Sequence, residues 1–430
     1  MKPSARLKTA QDLLEHFFKD PSYPLDLIAN HHFRKNRYIG SKDRRAIQAT
    51  LYEIIRNYLA LDWALRAAGG SPDSRSILLT HLVQTGGFDA ALFAEGGYGL
   101  PPLTDGEGAL VKALGNLSDK VPDWARLNCP EWLLGRFQDR FPKTWEKELT
   151  VLKGRAPLTV RINTLKARPE ELSEDLKALG FEPTSFSPLG FSSTEHVNLV
   201  PLQVFQDGLI EIQDEGSQIA ALLVDARPGM QVLDLCAGAG GKTLGAAAEM
   251  ANSGQIYAFD INEKRLKELA KRVQKAGARN VQRAVLPVNG RDEFLAPLAG
   301  NMDRVILDLP CSGSGTWRRS PDQRFGLTKE KLATYITTQK ALLAEGAALV
   351  KPGGRLIYIT CSFFQAEAED QVSTFLDGHA GWGLLDYRDI LEGRDMKTIP
   401  DSASSLKGAL LLTPGRHGTD GFFVAVLEKP

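Results

Sequence analysis

From about residue 216 to the end of the chain, short apolar segments alternate with longer helical ones, and this alternation limits the fold more than any other feature. QVLDLC, QIYAFD, VQRAVL, RVILDLP and RLIYITC read as strands, while TLGAAAEMA, NEKRLKELAKRVQKAG and KEKLATYITTQKALLAEGAALV read as helices. Repeated βαβ units of this kind predict an α/β fold, a largely parallel sheet covered by helices on both faces. The closing segments GALLLTP and DGFFVAVLEK predict an antiparallel hairpin that finishes the sheet edge.

The chain before this region has a different period. Residues 1 to about 125 carry apolar positions at three-to-four spacing in AQDLLEHFF, RRAIQATLYEIIRNYLALDWAL and SILLTHLVQ, which predicts an all-helical unit. EGGYGLPPLTDGEG, rich in Gly, Pro and Asp, reads as a loop. Helical pattern resumes in PEWLLGRFQDRF and TWEKELTVLKG, then gives way to a strand in LTVRINTL and a helix in RPEELSEDLKALG. The reading is therefore three domains: residues 1–125 helical, 126–215 linker helices and a small α/β unit, and 216–430 the alternating region.

Charge narrows the partners. Lys plus Arg and Asp plus Glu both number 52, so the chain as a whole does not attract a polyanion, and any polyanion would have to be met by local patches. One such patch is HHFRKNRYIGSKDRR, where Arg34, Lys35, Arg37, Lys42, Arg44 and Arg45 face the single acid Asp43. A solvated helix start accounts for it equally well. Arg161 and Lys166 flank the small sheet in the same way. No apolar run approaches the roughly 20 residues of a membrane span, and the first residues lack a secretory pattern, so a cytoplasmic protein without membrane contact is expected. The four cysteines form no CxxC pair and the seven histidines are scattered, so neither a disulfide framework nor a metal site is expected.

The chemistry concentrates at strand ends. In VLDLCAGAGGKT, Gly238, Gly240 and Gly241 allow a tight turn and close ligand approach at a helix N-terminus, and the spacing is not that of a phosphate-cradling P-loop. Asp260 ends the next strand about 20 residues on, where a carboxylate meets ribose hydroxyls. Cys311 and Cys361 each follow an apolar strand, which puts both thiols at the ligand crevice, with Asp308 and Pro310 just before the first. A thiolate that adds to carbon 6 of cytosine makes carbon 5 nucleophilic toward an electrophilic methyl group, and an acid at ring nitrogen 3 stabilises the displaced charge. Asp308 fits that second role, and a second thiol fits product release. The residues alone do not say which cysteine attacks. Arg318, Arg319 and Arg324 follow the Cys311 segment and suit phosphate contacts, while Trp317 reads as a packing residue.

LDLCAGAGGKT, DINEKRLKEL, DLPCSGSGTWRRSPD, YITCS and DGFFVAVLEK together resemble the Sun/RsmB-type family of RNA cytosine-5 methyltransferases. The resemblance implies a Rossmann-like class I S-adenosylmethionine methyltransferase domain. It also implies that VRINTLK and EIQDEGSQ belong to a small RNA-recognition-like domain, and that residues 1–125 are similar to a NusB-like RNA-binding domain. It assigns Cys361 as the nucleophile and Cys311 to release. Cofactor contacts are implied for Cys236, Ala237, Gly238, Ala239, Gly240, Gly241, Lys242, Asp260, Arg265 and Asp308. Ala239 stands where the family's glycine loop has proline, Asn289 where it has an adenine-contacting acid, and Ala368 where it has asparagine.

Two other classes share part of this pattern. A nicotinamide-dependent oxidoreductase would use the glycine loop and Asp260 but gives no reason for the cysteine pair, and an inactive RNA-binding assembly protein would tolerate Ala239 and Asn289. The expected partner is RNA, 16S ribosomal RNA ahead of transfer RNA, with the target base unpaired or flipped. A monomer is expected, since no heptad seam is visible.

Overall fold

A computed structural model describes residues 1–94, 97–117, 120–195, 197–394, 396–399 and 401–430. They form two compact units, Met1–Arg155 with Trp317–Thr328, and Ala156–Thr316 with Lys329–Pro430. Among them no helix is long and apolar enough to cross a membrane.

The first unit is built on the helix Ser41–Ala67, whose buried Ile47, Leu51, Ile54, Ile55, Leu61, Ala64 and Leu65 follow the helical period. The helices Pro3–Lys19, Leu25–Lys35 and Ser74–Gln84 add Leu13, Leu14, Phe17, Leu25 and Ile77 to the same core. Of the stretch expected to be a loop, Glu95 and Gly96 lie outside the described residues, and its last residues start the helix Asp105–Gly115 instead. Thr104 and Glu107 cap that helix reciprocally, which outweighs the helix-breaking Gly106 and Gly108. The inserted segment Trp317–Thr328 completes the core: Phe325 packs edge-on against Phe17 and Tyr58, with ring centroids 6.0 and 5.0 Å away. The Leu25 N–H donates to the Asp322 carboxylate over 3.0 Å.

The second unit holds two sheets. The small one is antiparallel, in the order β2–β3–β1–β4, from β1 (Leu158–Ile162), β2 (Glu182–Pro183), β3 (Gly190–Ser193) and β4 (Ile210–Ile212). The helix Pro169–Ala178 contributes Leu172 and Leu176 to a core with Val160, Ile162, Phe181 and Phe191.

The large sheet comprises β5 (Gln231–Asp234), β6 (Gln255–Asp260), β7 (Val281–Val285), β8 (Met302–Asp308), β9 (Val350–Thr360), β10 (Gly383–Leu385), β11 (Leu410–Leu412) and β12 (Phe422–Glu428). Its order is β10–β12–β9–β8–β5–β6–β7, with β11 also paired to β12. The β9–β8–β5–β6–β7 part is parallel, so Asp234, Asp260, Asp308 and Thr360 finish their strands at one end. The C-terminal hairpin differs from expectation. β12 pairs antiparallel with β9 and carries β10 and β11 on its other side, so it lies inside the sheet rather than closing its edge. Its continuous apolar run FFVAVL, buried throughout, suits a strand covered on both faces.

Asp225, in the left-handed region at φ 48°, is the hub of an ion cluster. Its carboxylate accepts from Arg227 at 3.1 Å, Arg304 at 3.2 Å, Arg355 at 3.0 Å and Arg394 at 3.4 Å. Asp225→Asn tolerates the same backbone but removes the charge, leaving arginines that repel one another. We expect it to cost about 2–4 kcal/mol, less than a fully enclosed pair because Arg227 is largely exposed. Urea unfolding by circular dichroism measures this, and a loss below about 0.5 kcal/mol would show the cluster to be ornamental.

Candidate active site

The glycine loop joins β5 to the helix Gly241–Glu249. Gly240 has φ 88°, and a Cβ there would stand 2.1 Å from Leu269, so only glycine fits. The loop is held from three directions. Asp260 accepts the Gly238 N–H over 2.8 Å, Arg272 donates to the Ala239 carbonyl over 2.7 Å, and Gln213 donates to the Gly241 carbonyl over 3.2 Å. The other Asp260 oxygen accepts the Asn262 N–H over 2.7 Å, and the following helix is capped by Asn262, not Asp260.

These residues fit S-adenosylmethionine. Each Asp260 oxygen keeps a lone pair for a ribose hydroxyl. Space is open at Gly238, where an added Cβ would meet nothing closer than Arg265 Nη1 and the Cys236 carbonyl, both at 3.9 Å. Arg265 is exposed beside this space, and Glu268, one helical turn on, pairs with Lys271. Ile261 and Val288 stand 68% and 91% exposed just past β6 and β7. Two such apolar surfaces suit the faces of a flat heteroaromatic ring. Sequence reasoning missed both, although each is a large apolar residue in a polar loop. Asn289, next to Val288, is also exposed. Beneath the loop, burial pushes the Asp234 carboxyl up to about 7, against the opposing Thr243 hydroxyl that donates to it over 2.6 Å. Its other oxygen has no hydrogen-bond partner among the described residues. Burial, with the acids around it, also raises the Cys236 thiol far above the ordinary range, so this thiol stays protonated.

The two strand-end cysteines meet. Cys311 Sγ lies 3.4 Å from Cys361 Sγ, at the ends of the adjacent strands β8 and β9. The Cys311 thiol is raised well above its usual value, first by its hydrogen bond with Cys361 and then by burial. Asp308, partly exposed at 36%, is ion-paired over 3.0 Å with Lys242, which is 4% exposed. Lys242 also donates to Ser217 over 2.9 Å and lies 4.8 Å over the Phe422 ring, so it aims Asp308 rather than facing solvent. Gly315 packs against protein backbone: a Cβ on it would stand 2.5 Å from the Gly421 carbonyl oxygen. Gly315 N–H donates to the Cys361 carbonyl and Gly421 N–H to the Gly315 carbonyl, each over 2.9 Å.

Other predicted residues are placed elsewhere. The expectation that Arg318 and Arg324 meet phosphate is corrected, since they are 4% and 2% exposed within the first unit. Arg324 donates to the Asn128 carbonyl and lies 5.0 Å from the Trp317 ring, and burial lowers its guanidinium to about 9. The Arg318 carbonyl accepts from Arg56 over 2.8 Å, and Arg319 is half-buried. Trp317 is a packing residue, 5.8 Å from Phe137. Arg161 is likewise buried at 4%, donating to Gln213 over 2.7 Å, which excludes it from an RNA-facing patch. Arg34, Lys35 and Arg37 are exposed, with Tyr38 beside them 75% exposed.

Comparison with known proteins agrees with this fold. The family described as 16S rRNA methyltransferase RsmB/F matches residues 221–428, and the ferredoxin-like domain of RsmF/B-like methyltransferases matches residues 129–194. The probable ribosomal RNA small subunit methyltransferase B of Synechocystis is 30% identical over 420 residues, across 91% of this chain and 92% of its own. The crystal structure of PH0851 is 26% identical with a TM-score of 0.79, covering 100% of this chain and 99% of its own. A methyltransferase homolog from Pyrococcus horikoshii is 28% identical with a TM-score of 0.61, covering 72% of this chain and 98% of its own.

Proposed function

We propose, for a chain that belongs to the RsmB/F family of 16S rRNA methyltransferases, that it methylates carbon 5 of a cytosine in small-subunit ribosomal RNA, with two cysteines dividing the covalent work. The observation that carries this reading is the 3.4 Å approach of Cys311 and Cys361 beside the Asp308–Lys242 pair. S-adenosylmethionine supplies an electrophilic methyl group.

The chain's own residues do the rest. The Cys361 thiolate, with Cys311 as its hydrogen-bond donor, adds to carbon 6 of the base, which turns carbon 5 into a nucleophile. Asp308, aimed by Lys242, takes a proton from solvent as the base binds and donates it to ring nitrogen 3, neutralising the charge that moves there, and recovers it when the ring is restored. After carbon 5 has taken the methyl group, its proton passes to a solvent water, the electron pair of that C–H bond restores the ring double bond and expels the Cys361 thiolate, and Cys311 assists that departure by hydrogen-bonding the leaving sulfur. The base must leave a stacked helix to reach either thiol. In the first unit, read as NusB-like, exposed Arg34, Lys35 and Arg37 are the phosphate contacts we assign.

Transfer of tritiated methyl to small-subunit ribosomal RNA and to transfer RNA, both from cells lacking this protein, tests the reading. We expect 5-methylcytosine in the ribosomal RNA, and Cys311→Ala should accumulate an RNA adduct that survives denaturation. Label only in transfer RNA would overturn the substrate, label in another nucleoside would overturn the chemistry, and RNA binding without label would leave an assembly protein.

A further inference from the structure

The carboxylate of Glu367 is 0% exposed and every hydrogen-bonding position on it is filled. Oε2 accepts from the hydroxyls of Ser312 and Ser362, each over 2.5 Å. Oε1 accepts from the Ser312 N–H over 2.9 Å and from Gln339 Nε2 over 3.1 Å. Ser312 follows Cys311 and Ser362 follows Cys361. One carboxylate therefore holds the residue after each cysteine, although the two lie on loops from different strands. Gln339 extends the tie by donating to the carbonyl of Pro310, just before Cys311, over 2.9 Å.

These donors are neutral, and a buried carboxylate without a cation is expensive unless several hydrogen bonds stabilise it. A core built only for stability would fill the same space with apolar side chains. Four accepted bonds do what apolar packing cannot: they fix the direction of both loops. The backbone bond from Gly315 N–H to the Cys361 carbonyl and the bond from Phe363 N–H to the Ser314 hydroxyl, 2.8 Å long, run between the same two loops.

We propose that Glu367 is the positioning residue of the thiol pair, setting the separation of Cys311 and Cys361 by bonding the serine that follows each. The proposal rests on the two-cysteine reading above. In Glu367→Gln an amide nitrogen replaces one acceptor, so either the two serine hydroxyls must turn from donating to accepting or the Ser312 N–H and Gln339 lose their acceptor.

Two readouts test it on the full-length protein. For methyl transfer, kcat should fall by about 10²-fold, the cost of displacing reacting groups by about 1 Å, while KM for RNA and for S-adenosylmethionine stays within about threefold. The second readout needs no activity: alkylation by iodoacetamide, followed by mass spectrometry of each cysteine peptide, with Cys129 and Cys236 as internal references. Cys311 and Cys361 should react at least about fivefold faster in the variant, and the references at unchanged rates. Should Glu367→Gln fail to fold, Ser312→Ala and Ser362→Ala each remove one tie, and each should give part of the effect. Unchanged alkylation and unchanged kcat would overturn the proposal, as would a rise in KM alone. Absence of methyl transfer by the wild-type protein would overturn the two-cysteine reading, while alkylation would still decide whether Glu367 sets the thiol pair.

Discussion

Cys361→Ala should abolish methyl incorporation, lowering it on the order of 10⁴-fold or more, as removal of a covalent nucleophile does in other enzymes. Without a thiolate at carbon 6, carbon 5 of cytosine stays too weak to take a methyl group. The glycine loop, Asp260 and the Lys242–Asp308 pair do not depend on this sulfur for any bond. S-adenosylmethionine binding by calorimetry should therefore be retained, and the melting temperature should move by no more than about 2 °C. The two thiols are near-equivalent in placement, so the comparison with Cys311→Ala is decisive. Activity that survives Cys361→Ala and is lost in Cys311→Ala would exchange their roles.

Trp317→Ala should have the largest effect on stability, a loss of about 3–5 kcal/mol, the usual cost of deleting a fully buried indole. Trp317 is 0% exposed, packs on Phe137 and lies against the Arg324 guanidinium, which is itself buried. The variant both opens a cavity and strips a buried cation of its aromatic neighbour. Urea denaturation followed by far-ultraviolet circular dichroism should show the midpoint fall by about 1–2 M. A fall worth less than about 1 kcal/mol would mean that the segment Trp317–Thr328 is a passenger on the first unit.

What could be read in the sequence follows from what is local in it. Alternating period, the glycine turn and the strand-end positions of Asp260, Cys311 and Cys361 are properties of short windows, and they located the large sheet and most of the candidate site. Arg324 shows where that reasoning stops. A cation in a polar loop looks solvated, and nothing near it discloses that the Asn128 carbonyl, 196 residues away, waits for it. Glu367 is the same problem with opposite sign, since its serines belong to two motifs and Gln339 to a helix between them. β12 misled through pairing: its apolar run signals burial, but not that β10 and β11 would share its outer edge.

The segment Trp317–Thr328 also imposes an order on synthesis. The helices of the first unit leave the ribosome early, but the aromatic plug that fills the space between Phe17 and Tyr58 is made about 170 residues after Arg155. At roughly 5–20 residues per second, this leaves a greasy socket open for roughly 10–35 seconds on every nascent chain. Most of the second unit's strands emerge during that interval. The helices of the first unit are translated ahead of the second unit yet completed after most of it, and a chaperone that shields them has a definite window in which to act.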